Sequence, residues 1–162
     1  VIHILDANTL MEASRTYYAF DLAPNFWEWL RSSGVDGQVA SVDRVRQEIA
    51  AGHGDLVDWS NDLRGSFWLP ETDESIASAT DIVKWANEPE RPYIRAAIDE
   101  FMDSADLQLI AHARVVSGVV VTREQSHPEA RKRVMIPDVC AAFDVTCIDP
   151  FETYRQLGLR LC

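Results

Sequence analysis

Val1-Ile2-His3-Ile4-Leu5-Asp6 is the stretch from which the fold can be read. Four of its first five residues are apolar and three are β-branched, with no alternation of polar and apolar positions. A run of that kind and length reads as a strand buried on both faces, the situation in a parallel sheet. Asp6 closes it and puts an acid at the rim of a dry core, where its charge needs a partner or a cation. Val119-Val120-Val121-Thr122 repeats the pattern and is followed by Arg123 and Glu124; Val145–Ile148 is a third such run.

The intervals between these runs have helical spacing. Phe26, Trp29 and Leu30 stand at i, i+3 and i+4, on a helix ending near Gly34. Ser41 is placed to cap a helix whose stripe is Val42, Val45 and Ile49, stopped by Gly52. A short helix is expected from about Leu10, and others over 56–63, 73–88, from Pro92 through Phe101, 105–116 and 137–142. Pro150 opens a final one, and Gln38–Ala40 and Ser66–Leu69 read as short extended segments. Strands alternating with helices predict an α/β architecture with a central parallel sheet. No repeat, low-complexity tract or linker interrupts residues 1–162, so a single domain is expected at this length.

Composition narrows the function classes. The chain has 26 acidic and 15 basic residues, a formal charge of −11, which disfavours a protein that grips nucleic acid by a uniformly basic surface. No apolar run approaches the roughly 18 residues of a membrane span, and Val1–Leu10 has no charged segment ahead of an apolar one, so no membrane association is expected. Three cysteines, Cys140, Cys147 and Cys162, fall in no metal-binding spacing and suit a reducing cytoplasm. The negative charge is concentrated in residues 55–106, net −9, whereas residues 107–162 carry net +1. Arg123, Arg131, Lys132 and Arg133 lie close together there, a candidate rim for phosphate, with a solvated loop as the plainer reading.

Ligands of open α/β sheets bind outside the carboxyl ends of the strands. Asp6 and Glu124 occupy such positions. Glu48 borders the Val45/Ile49 stripe, and Asp106 lies in the first turn of the 105–116 helix, where a carboxylate complements the helix dipole. Each has an ordinary explanation: Asp6 as a cap, Glu48 paired with Arg44, Asp106 as a first-turn acid, Glu124 as a loop residue. Four carboxylates converging on one sheet edge would repel one another, and a divalent cation bound through oxygen is the simplest compensation. Two such ions can activate a water and stabilise the leaving oxygen of a phosphodiester.

Leu5-Asp6-Ala7-Asn8-Thr9-Leu10 resembles the opening motif of PIN-domain nucleases. Val45-Arg46-Gln47-Glu48-Ile49, then Ala105-Asp106-Leu107-Gln108-Leu109-Ile110-Ala111-His112-Ala113, then Val120-Val121-Thr122-Arg123-Glu124 follow in that family's order. With Phe20 through Trp29 and Ile136-Pro137-Asp138-Val139-Cys140, the chain resembles an uncharacterised bacterial subfamily related to VapC-type toxins. The resemblance implies a PIN-like, Rossmann-like three-layer α/β/α fold. It implies an endoribonuclease dependent on Mg²⁺ or Mn²⁺, with Asp6, Glu48, Asp106 and Glu124 as metal-binding acids and Asn8 or Thr9 steadying the site. A cytoplasmic toxin acting on RNA, held by a cognate antitoxin and compatible with a homodimer, follows from the same resemblance. Glu124 departs from the more usual Asp, and Asp103 and Asp138 are neighbouring alternatives.

A non-catalytic PIN-like module that binds RNA or protein is the rival reading, motivated by Glu124 and by the acidity. An aspartyl phosphatase built on Asp6 lacks its second acid, since Asn8 stands there. No nucleotide-binding glycine loop or serine-nucleophile elbow is present. His3 reads as a satisfied core histidine. Trp27 and Trp68 read as core or partner-facing ahead of base-stacking.

Overall fold

The computed structural model describes residues 1–63 and 67–162. Its centre is a parallel five-stranded sheet: β1 (His3–Leu5), β2 (Val39–Val42), β3 (Trp68–Leu69), β4 (Val119–Val121) and β5 (Thr146–Ile148), in the order β3-β2-β1-β4-β5. Leu5 stands opposite Val121, and Val121 opposite Ile148. The chain builds outward from β1 through β2 to β3, then returns to β1's other edge with β4. The reversal places a topological switch point between β1 and β4, where such sheets open a crevice.

The described helices are α1 (Ala7–Glu12), α2 (Pro24–Val35), α3 (Asp43–Ala50), α4 (Asp55–Asp62), α5 (Asp73–Ala86), α6 (Arg95–Asp103), α7 (Ala105–Val116), α8 (Ile136–Ala142) and α9 (Pro150–Gln156). Together with the sheet they form the expected three-layer α/β/α, PIN-like fold. Helix α7 is buried along most of its length, with Leu109, Ile110 and Ala111 fully covered. It lies on β1, β2 and β4 and is packed by α3, α5, α6 and α8, which explains why its sequence is apolar nearly all round. Elsewhere the core is aromatic: Tyr18 stacks on Phe26, Phe20 on Trp27, and Tyr154 of α9 meets Phe26 edge-on. Gly34 is required by packing, because a Cβ there would lie 2.7 Å from a Phe67 ring carbon.

Several local expectations change. The first helix starts at Ala7 and passes into a π-helical turn, Ala13–Tyr17. Ser41 is a strand residue, not a cap; its buried hydroxyl donates to the Leu5 carbonyl at 2.6 Å and ties β2 to β1 at the carboxyl edge. The helix after Pro92 begins at Arg95. The extended segment expected from Ser66 is described from Phe67 onward, and Ser66 itself lies outside the described residues. No described helix is long and apolar enough to cross a membrane.

Candidate metal and nuclease site

The switch point is built from β1 and β4. As the two strands end, the Asp6 amide donates to the Val121 carbonyl at 3.1 Å, which brings Asp6 beside Thr122. Asp6 is 2% exposed, so both of its oxygens need donors. Oδ1 accepts from the Thr9 amide at 2.8 Å, making Asp6 the N-cap of α1, and Oδ2 accepts from the Thr122 hydroxyl at 2.5 Å. Burial still pushes its carboxyl up from the ordinary range; the hydrogen bonds from Thr122 and Thr9 oppose that, and the charge of Glu124 adds to it. The capping explanation and the site explanation of Asp6 are thus compatible.

Thr122 also accepts from the Glu124 amide at 3.1 Å, so one hydroxyl joins the two strand-end acids. The Glu124 side chain, 11% exposed, accepts from the Ile136 amide at 2.9 Å through Oε1 and pairs with Arg133 at 2.8 Å through Oε2. It turns inward to cap α8 and is not a free loop residue.

Helices bring the other two acids. Glu48 is exposed on α3, and its Oε1 accepts from the Ala105 amide, the first of α7, at 2.9 Å. Arg44 does not pair with Glu48; it donates to the Asp103 carbonyl at 2.7 Å. Asp106, one residue beyond Ala105, is only partly exposed. Its carboxyl is pushed up to about 7, first by burial and then by the negative charges of Glu124, Asp6 and Glu48, with Arg133 opposing. That set of causes places the four acids in one electrostatic neighbourhood. Burial and, after it, like charge nearby both disfavour the ionised form, and functional sites concentrate such groups.

The donor set is entirely carboxylate oxygen, which matches hard divalent cations such as Mg²⁺. Asp106 accepts no hydrogen bond among the described residues, so it retains lone pairs for a cation. Among the described residues, however, no three acidic, histidine or cysteine side chains already converge as a ready ligand set. Glu48 and Glu124 each direct an oxygen at a helix amide, and Glu124 the other at Arg133. The residues fit a cation by chemistry and charge, and occupancy would require a rotation of these side chains.

Other sequence candidates separate. Thr9 supports Asp6 through its amide, whereas Asn8 is exposed. Arg123 is drawn away from the acids, bonded to Glu12 at 3.3 Å and to the Tyr17 hydroxyl and lying over the Tyr17 and Phe151 rings. Arg133 is paired with Glu124, while the Arg131 and Lys132 side chains are exposed. Asp103 is exposed; Asp138 holds the preceding loop, accepting from the Ser126 hydroxyl and the His127 amide. Trp27 and Trp68 are buried core residues whose ring nitrogens donate to the Tyr18 and Ser60 carbonyls. His3 is buried, but its Nδ1 lacks a partner among the described residues. Thr122 is a part of the site that the sequence reading missed, and Arg133, expected there as a phosphate contact, pairs in addition with Glu124. A hydroxyl at the end of a buried strand was a usable signal for Thr122; nothing local signals the pairing of Arg133 with Glu124.

With this geometry in place, comparison with known proteins gives a family. The model described as Domain of unknown function (DUF4411) matches residues 3–161. The chain belongs to the DUF4411 family. No curated protein matches it. Among solved structures, this DUF4411 chain is similar to a chain of VapBC2 from Rickettsia felis, a crystal structure bound to a DNA fragment from their promoter. The TM-score is 0.56 at 10% identity, covering 92% of this chain and 98% of that one. At that identity the likeness supports the fold of the DUF4411 chain, and the chemistry must be argued from its own residues.

Proposed function

We propose that this protein is a metal-dependent endoribonuclease, cytoplasmic, and the toxin of a toxin–antitoxin pair. Supporting the reading are the places of Asp6 and Glu124 at the strand ends of the β1/β4 switch point, and Asp106, raised to about 7 by burial first and then by the charges of Glu124, Asp6 and Glu48. Mg²⁺ or Mn²⁺ bound there would supply a Lewis acid and a more acidic water for in-line attack on a phosphodiester. Asp6, rigidly held by Thr9 and Thr122, anchors the site; Asp106 is the ligand least committed to internal bonds. Glu48 and Glu124 complete it, and Arg133, displaced from Glu124, is placed to meet a phosphate oxygen. Exposed Arg131 and Lys132 extend that rim, while Arg123 contributes only if released from Glu12.

The acidic surface of residues 55–106 suits a partner with a basic segment, as an antitoxin would present. A chain of similar fold is found in VapBC2 from Rickettsia felis bound to a DNA fragment from their promoter. A homodimer is compatible with this arrangement.

One observation favours the non-catalytic module instead. Glu48 and Glu124 already act as long-range helix caps, a sufficient structural role for both. Titrating Mg²⁺ or Mn²⁺ into wild type and Asp6→Asn while following cleavage of a structured RNA separates the two. Metal-dependent cleavage lost in the variant supports the nuclease. No turnover with either metal, or equal turnover in both proteins, rejects it.

A further inference from the structure

Beside the carboxylates lies a second concavity of about 520 Å³, lined by Trp85, Arg91, Tyr93, Ser126, Pro128 and Asp138 among others. None of the four acids lines it, but two of its lining residues adjoin the candidate site along the chain. Ser126 is two residues beyond Glu124, so their Cα atoms are at most about 7 Å apart, and Asp138 follows two residues after Ile136, whose amide Glu124 holds.

Its lining is layered. The Arg91 guanidinium lies over the Trp85 ring, 4.8 Å from the centroid, and Glu88 pairs with it at 3.2 Å. One face of the guanidinium is thus backed by an indole, and its side chain remains 30% exposed. Arg91 Nε is buried without an acceptor among the described residues. Tyr93 stands edge-on to Trp85 at 6.0 Å between ring centroids. At the rim Asp138 is fixed by Ser126 and His127, and a carboxylate with two oxygens keeps lone pairs free for a further donor.

We propose that this concavity receives an unpaired nucleobase of the RNA, flanking the phosphodiester at the carboxylate site. A base is planar, uncharged and ringed by donors and acceptors. It would extend the Trp85–Arg91 stack, contact Tyr93, and present an amino group to Asp138. Single-stranded bases are recognised by stacking on aromatic rings or arginine planes together with hydrogen bonds to their edges. A methylated-lysine cage is disfavoured because Arg91 already covers the Trp85 face. The inference rests on the nuclease reading for the identity of the ligand as RNA.

The test measures binding apart from cleavage. Fluorescein-labelled hexameric homopolymers of A, G, C and U are titrated by anisotropy in EDTA against Asp106→Asn, alone and combined with Arg91→Lys or Tyr93→Leu. Arg91→Lys keeps the charge and removes the planar face. One homopolymer is expected to bind best, and each second substitution is expected to weaken it about tenfold, in line with stacking at single bases. Thermal melts of the same proteins identify any variant that fails to fold, leaving the other to decide. Affinity unchanged by the folded variant, or no RNA binding at all, overturns the proposal. Metal-dependent cleavage by wild type is scored separately. Cleavage with unchanged binding removes the pocket alone; binding without cleavage removes the nuclease and keeps the pocket.

Discussion

Replacing Asp106 by Asn should stabilise the metal-free protein, against the ordinary expectation for a partly buried polar residue. The isostere keeps the shape and removes the charge that burial, Glu124, Asp6 and Glu48 all oppose. Raising an acid from 3.8 to about 7 corresponds to an upper bound of roughly 4 kcal/mol, at about 1.36 kcal/mol per tenfold change in acidity. Partial exposure and relaxation around the charge reduce this, and about 2 kcal/mol is a reasonable expectation. For a chain of this size that is about 4–8 °C in Tm. The pH dependence follows from linkage. Below the unfolded-state value the carboxyl is protonated in both states, and wild type and variant differ little. Between pH 4 and 7 the unfolded chain loses its proton while the folded one retains it, so the wild type is progressively destabilised. Above pH 7 the gap is constant and largest. Thermal melts in EDTA from pH 4 to 8.5 measure it directly. A variant no more stable than wild type at pH 8, or a gap independent of pH, would refute the crowding of acids around Asp106.

Thr122→Val removes the hydroxyl that donates to buried Asp6 and accepts from Glu124; a loss of about 2–3 kcal/mol in urea unfolding is expected, since a buried charged acceptor goes unmet. At Glu48, Gln preserves an acceptor for the Ala105 amide while Ala does not. Glu48→Ala should therefore cost about 1 kcal/mol, and Glu48→Gln little stability, yet both should abolish metal-dependent cleavage. Gly34→Ala drives a Cβ into Phe67 and should cost about 1–3 kcal/mol, seen as a lower Tm with no change in metal dependence.

The fold was legible because its central strands, β1 and β4, are short, largely buried and therefore mostly apolar. His3–Leu5 and Val119–Val121 betray a parallel sheet by composition alone. The positions of Asp6 and Glu124 followed from the same reading, since an acid ending a buried strand sits at the carboxyl edge of the sheet. Glu48 and Asp106 stood out only as acids at a core boundary and in a first helical turn, and their metal-binding role came from the family resemblance, because an acid on a helix looks the same whether it faces solvent or a site. What stayed hidden was pairing between distant residues. Thr122 meets Asp6 across a separation of 116 residues, and Ser41 meets Leu5 across 36. A polar side chain next to a strand or helix end offers a local capping explanation, as for Ser41, that sequence alone cannot distinguish from a tertiary one. Arg123 was misplaced for a related reason. The sequence grouped it with Arg131, Lys132 and Arg133, but its neighbours in space are Glu12, Tyr17 and Phe151.

The central claim is that these four carboxylates hold a divalent cation, and anomalous diffraction from crystals grown with Mn²⁺ tests it most directly. A peak is expected with Asp6 and Asp106 oxygens within about 2.5 Å, Glu48 or Glu124 swung from its helix amide to join them, and no peak in Asp106→Asn crystals. A peak on other residues, or none at the β1/β4 switch point with Mn²⁺ present, would contradict it.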